Sequence, residues 1–484
     1  MKQACTSHNT SADEQNVGSP GFIWDRPLNS NLLRIKASYT GVYSKIFSQV
    51  REYAEANKNI FNILSMLFFI VAFTSCEDKI YDEYRMNVPL YMSYNELRTV
   101  IGTETPREIN QPGKIYIKDN YLFVNEYMKG IHIIDNTNPA SPQKVSFVEI
   151  PGNVDMAVKD NFLYADSYID LIVIDLSDMN NITEISRVDS IFPYIIPEYD
   201  YNYPVEQIES GKGVVTGFEV KTVEKNVETN QQHYPMFWGY RAESLDMVSF
   251  STGNKVGGGG SSYGTGGSMA RFMLYADKLY AIDNTNMHIF DVTTGNNPLL
   301  KANKHIGWNI ETLFYYNERM FIGTQTGMLI YSLDDPVNPE KISEFSHIRS
   351  CDPVVVEGDY AYVTLRSGSN CGGMVNELDV VDISNIYSPS LVKAYAMVNP
   401  HGLGIDDNIL FLCDGEAGLK IYDARDPMKI TENELKTYDD IHAFDVIPVD
   451  GVLIMTGEDG ICQYDYADIN NINLLSRINI NVEP

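Results

Sequence analysis

What the sequence lacks narrows the field. Its six cysteines (Cys5, Cys76, Cys351, Cys371, Cys413 and Cys462) include no C-x-x-C pair, which argues against a structural zinc site. No G-x-S-x-G and no H-E-x-x-H occurs, so the familiar nucleophile elbow and zincin signatures are missing. The glycine-rich run at 257–268, GGGGSSYGTGGS, has no Gly-Lys-Ser/Thr and no helix signal after it, which argues against nucleotide binding. Positive charge is short: 36 Lys and Arg against 65 Asp and Glu leave a net charge of −29. Nucleic acid and an anionic membrane surface both need a basic face, so neither is expected as a partner. The acidic excess serves solubility. Helical periodicity is also missing over most of the chain.

What is present is a repeat. Residues 114–137, KIYIKDNYLFVNEYMKGIHIIDNT, read as a strand, an Asp-Asn turn, a second strand, a short polar loop and a third strand ending on Asp135. Third-strand endings recur at Asp135, Asp175, Asp291, Ser332, Asp382, Asp423 and Asp465, at intervals of 40, 116, 41, 50, 41 and 42 residues by subtraction. The long interval is one period plus an insertion at 195–268. Pro-bearing links follow the third strands (NTNPASP, LDDPVNP, ISNIYSP), then an outer strand such as 144–150 or 474–480. Hydrophobic content of 44% supplies a core, and 32 tyrosines favour strands. The expectation is all-β: a single β-propeller of seven blades with four antiparallel strands each, eight blades being the alternative. Residues 88–97, VPLYMSYNEL, read as an outer strand without a blade, either latching the last blade or lying over the edge of the first.

At IVIDLS (172–177) and VVDIS (380–384) the chain resembles the LVIVD-repeat family, over about residues 109–484. The resemblance implies a propeller, often on secreted or surface proteins, and brings no reaction with it. Ser332 and Cys462-Gln463 depart from the pattern.

The N-terminal part reads as export. Residues 60–73, IFNILSMLFFIVAF, form an uncharged apolar run too short to span a bilayer as a helix but suited to a signal peptide. Cys76 after Phe73-Thr74-Ser75 resembles a lipobox cysteine, and Glu77, Asp78, Asp82 and Glu83 resemble an acidic export tag. The expected organisation is a leader at 1–59 absent from the mature protein, and a lipoprotein signal peptide at 60–76. A tether with an N-terminal strand follows at 77–108, and the propeller at 109–484. The expected location is the cell envelope, as a surface-exposed outer-membrane lipoprotein held by its lipid anchor.

Aligning the copies places Lys114, Asp155, Arg271, Thr312 and Asp445 at one position near the start of the innermost strands, with Glu311, Asp352 and His401 one residue earlier. Arg366 joins them from a loop on the same face, as do Glu126, Asp166, Gln325, Asp414, Glu416, Glu458 and Asp459. Such a mouth can bind a ligand, or its charges can pair with one another and hold water. His401 and His442 show no metal-ligand spacing. Cys351 and Cys371 fall on this same face and are expected to form a disulfide in an exported protein. Cys413 and Cys462 lie on strands as small buried hydrophobes. In the insertion, Tyr199, Tyr201, Phe237 and Trp238, with neighbouring tyrosines, either form an aromatic platform or pack on a blade edge. The functional expectation is a monomeric, non-enzymatic lipoprotein that binds a partner protein, peptide or glycan at the mouth and insertion, without a cofactor. The alternative is a hydrolase or lyase using mouth carboxylates and His401 with a divalent cation.

Overall fold

The computed structural model of the protein describes residues 81–99, 101–179, 181–226, 240–241, 265–266, 268, 270–347, 353–367, 375–458 and 460–481. The chain forms two compact units, residues 1–80 and 81–484, and the first lies outside the described residues. The second is built from seven antiparallel sheets, each with four consecutive strands in simple meander order. Blade one runs Pro112–Lys118, Tyr121–Glu126, Gly130–Asp135 and Gln143–Glu149 from the axis outward. Blade seven ends with Asn473–Ile478. The inner three strands of each blade are short, largely buried apolar runs, and the outer strands are mostly exposed or half-buried.

Local chemistry explains the repeat. Asp119, Asp160, Asp277, Asp407 and Asp450 sit in the first hairpins with positive φ between 49° and 56°, a conformation Asp tolerates better than branched residues. In blade four the same turn is Asn317-Glu318, and in blade three it is Ala276-Asp277, one residue earlier than the sequence pattern places it. The acidic residue closing each third strand accepts a hydrogen bond from the amide two residues on. The pairs are Asp135–Thr137, Asp175–Ser177, Asp291–Thr293, Asp382–Ser384, Asp423–Arg425 and Asp465–Ala467, at 2.8–3.1 Å. Ser332 does the same with its hydroxyl, to Asp334 N at 3.0 Å. The recurring aspartate is therefore a turn-former that swings the chain from third strand to link.

Tyrosines tie neighbouring blades together. The hydroxyls of Tyr164, Tyr280 and Tyr438 donate to Gly295 O, Pro336 O and Ile472 O at 2.7, 2.7 and 3.0 Å, each in the link of the next blade. Tyr164 and Tyr280 are buried and Tyr438 is half-buried, and their hydroxyls satisfy link carbonyls.

The ring closes between blades seven and one by packing and hydrogen bonds, each blade keeping its own four strands. Ile447, Ile454, Ile461 and Ile478 share a core with Ile109, Ile115, Ile117, Leu122 and Val124. Ile109 and Ile480 form a parallel bridge, and the Asn136 and Gln463 side-chain amides exchange two hydrogen bonds of 2.9 and 2.7 Å.

Residues 88–97 do not latch either blade, which corrects the sequence expectation. Tyr81–Met92 forms one strand with the insertion strand Val214–Asn226, an antiparallel ribbon with a bulge at Leu90/Tyr91. The chain then turns through a one-turn helix, Tyr94–Leu97, with a Ser93/Glu96 capping box. The physical reason is length: the long alternating run 214–226 offers far more strand pairing than any blade edge. A shorter piece, Gly102–Glu104, takes the outer edge of blade one. At the inner edge of that blade, Thr265–Gly266 pairs with Tyr116 and Ile117, which lays the end of the glycine-rich run along the axis.

Candidate functional site

At the ring position picked out by the repeat, the Lys114 and Asp155 side chains bond neighbouring blades. Lys114 Nζ lies 2.7 Å from Asp155 Oδ2, which also accepts from Arg271 N at 2.5 Å. Asp166 caps the Val154 and Asp155 amides at 2.7 and 3.0 Å, and burial still pushes its pKa up to about 6 against those bonds. Burial pulls the Lys114 ammonium down, with Asp155 opposing. Arg271 and Glu311 are half-buried, and Thr312 is buried. Asp445 is 1% exposed, and burial raises its pKa well above the ordinary carboxylate range.

His401 is buried, its Nδ1 3.1 Å from Arg366 Nη1, while its carbonyl accepts from Thr364 Oγ1 at 2.6 Å. Burial, with the charges of Arg366 and His442 adding to it, pushes the His401 pKa down to about 2. Burial and the neighbouring charges thus favour the neutral imidazole of His401 at physiological pH. His442 stands next to it, ring centroids 6.4 Å apart, and pairs with Glu458 at 2.8 Å on the more exposed side.

The loop carboxylates are also engaged. Glu126 is fully buried and bonds His132 at 2.7 Å and Lys129 at 3.0 Å. Burial alone would raise its pKa, but those two bonds overcome it and hold it at about 2. Asp283 with His288 and Asp414 with Lys420 occupy the same place in blades three and six, at 3.0 and 2.6 Å. Among the described residues, no group of three or more His, Cys, Asp or Glu is arranged to hold a metal ion.

Of the remaining candidates, Asp352, Cys351, Cys371, Phe237, Trp238 and Cys76 lie outside the described residues. Cys413 and Cys462 are buried thiols, as their strand positions indicate. Tyr199 and Tyr201 are close together, ring centroids 4.9 Å apart, and Tyr199 stands edge-on to Phe218 of the long ribbon at 5.6 Å. The segment that carries them is pinned by Asn87, whose side chain donates to Asp200 O and Tyr203 O at 2.8 Å each. Arg85 stacks on Tyr203 at 4.5 Å. Tyr201 is 56% exposed, so the group is partly a packed cluster and partly an open aromatic face.

Two contributors take their roles only from the tertiary structure. Phe218 was hidden within an alternating strand, and only pairing with Tyr81–Met92 brings it under Tyr199. Gln463 replaces the aliphatic residue that stands two places before the end of every other third strand (Ile133, Val173, Ile289, Ile330, Val380, Ile421), and that break in pattern is its signal in the sequence.

Seven four-stranded blades in a ring define the molecule as a β-propeller. Its blades carry LVIVD repeats: the repeat is matched at residues 112–149, 152–190 and 348–397, within blades one, two and five. No curated protein matches the sequence. Solved propellers resemble the chain in shape at low identity. The designed protein Ika8 shows 10% identity and a TM-score of 0.44, covering 78% of this chain and 91% of its own. Sqt1 of Saccharomyces cerevisiae shows 7% identity and a TM-score of 0.44, over 82% of this chain and 90% of its own. PorZ of Porphyromonas gingivalis, a surface component of the type-IX secretion system, shows 10% identity and a TM-score of 0.39, over 77% of this chain and 39% of its own.

Proposed function

We propose that the protein is a non-enzymatic binding scaffold of the cell envelope, in which the propeller presents the insertion and the adjoining face to a peptide, glycan or partner protein. The observation that carries this reading is the Tyr199–Tyr201–Phe218 group, held on a two-stranded ribbon outside the blades with Tyr201 left open. Aromatic faces on a rigid support stack on sugar rings and apolar side chains at little entropic cost. The ring residues favour a scaffold over a catalyst: Lys114 and Asp155 are committed to neighbouring blades, and burial favours the neutral form of His401. The lipobox-like sequence around Cys76 supports attachment to the membrane through a lipid on that residue.

The test is a glycan and peptide array probed with the purified protein and with Tyr201→Ala. Aromatic stacking is worth about 0.5–1.5 kcal/mol, so affinity for a captured ligand should fall by roughly threefold to tenfold. Equal capture by both proteins would remove the insertion from the binding face.

A further inference from the structure

At the layer of the ring position, successive blades are joined by hydrogen bonds. Blade one meets blade two through Lys114 and Asp155, and blade two meets blade three through Asp155 and Arg271 N. Blade five meets blade six through Thr364 Oγ1 and His401 O, and blade six meets blade seven through Gly402 N and Phe444 O, at 2.6 and 2.8 Å. The seam between blades seven and one differs. Asp445 and Thr456 are directly paired across adjacent strands, so their side chains lie on one face. The residues two places along on that face, Ile447 and Ile454, pack against Ile115, Ile117 and Val124 of blade one. The pair therefore points into the closing seam.

Both side chains are essentially inaccessible, at 1% and 0% exposure, and beyond the Val446 amide beside Asp445 neither its carboxylate oxygens nor Thr456 Oγ1 has a hydrogen-bond partner. Asp155, at the same place in blade two, has its own neighbour's amide at 2.7 Å and in addition a lysine ammonium and the next blade's amide. Three oxygen acceptors meet at the Asp445 seam, and an unsatisfied buried group of this kind costs several kcal/mol. Grouped oxygen acceptors are what a hard cation seeks.

The geometry points to a cation site at the closing seam: the Asp445 carboxylate and the Thr456 hydroxyl hold a hard, oxygen-seeking cation that fastens blade seven to blade one. One carboxylate and one hydroxyl supply three oxygens, with backbone carbonyls and water completing the shell. The site is thus consistent with the lack of any acidic cluster among the described residues. It does not depend on the binding-scaffold reading, because its readout is ring stability rather than ligand capture.

Ca2+ is the probe, added to chelator-stripped full-length protein, with Mg2+, Na+ and K+ as comparisons. Binding to the folded form alone raises the thermal midpoint in step with occupancy. A saturable rise is expected, with tenfold or weaker apparent affinity in Thr456→Val and no rise in Asp445→Asn. If Asp445→Asn fails to fold, Thr456→Val still decides. No cation-dependent rise in the wild-type protein would overturn the proposal, as would a rise left undiminished by either substitution.

Discussion

Single residues in this molecule show how burial and partners set charge. Asp379 is 3% exposed with Oδ1 unbonded, and burial, helped by Glu377 and opposed by His347, lifts its pKa to about 6. The folded protein thus holds this proton more tightly than the unfolded chain does. The contribution to stability is complete below the ordinary carboxylate range, near pH 4, and is lost as pH rises through 6. The loss amounts to about 2–3 kcal/mol. Glu126 has the opposite sign, its contribution being lost as pH falls toward 2. Asp379→Asn should match the wild type at pH 4 and exceed it at pH 7.5, read as urea midpoints at both. A difference between the two proteins that stays constant with pH would show that Asp379 is not the group responsible. Nothing in its sequence context marks Asp379 apart from its neighbours, because desolvation depends on which sheets close over it.

Elements are joined by devices that recur in each blade. The aspartate at the end of the third strand is visible in the sequence as a period, and its purpose is visible in the turn it makes with the amide two residues on. Replacing Asp382 by Ala should cost about 0.5–1.5 kcal/mol, the value of one such bond. Asp382→Ser should recover most of it, since Ser332 already performs this role in blade four. Chemical denaturation of the two variants distinguishes them, and equal losses would mean that the bond itself contributes little. The ribbon shows the opposite case. Its two strands, Tyr81–Met92 and Val214–Asn226, are separated by two whole blades in sequence, and no local signal pairs them. Alternation identified the second as a strand, but its partner was decided by the register available in three dimensions.

Closure is the property of the whole molecule. The last blade is fastened to the first by a shared isoleucine core, a parallel bridge at Ile109 and Ile480, and the Asn136–Gln463 amide pair. Gln463→Leu leaves the Asn136 amide unpaired and should cost about 1–2 kcal/mol, while adding Asn136→Leu should restore part of that loss. Thermal unfolding of the single and double variants measures the coupling, and simple additivity would deny the pair a closing role. The sequence by itself determined the strands, the hairpins, the blade period and the ring position, because side-chain alternation, turn chemistry and a repeat near 41 residues are local properties of the chain. Only the tertiary structure decided that Lys114 and Asp155 bond neighbouring blades, that the N-terminal strand joins the insertion, and that Asp445 and Thr456 meet at the seam. Those outcomes depend on which surfaces meet when the ring closes, and a linear pattern carries no record of contacts between its two ends.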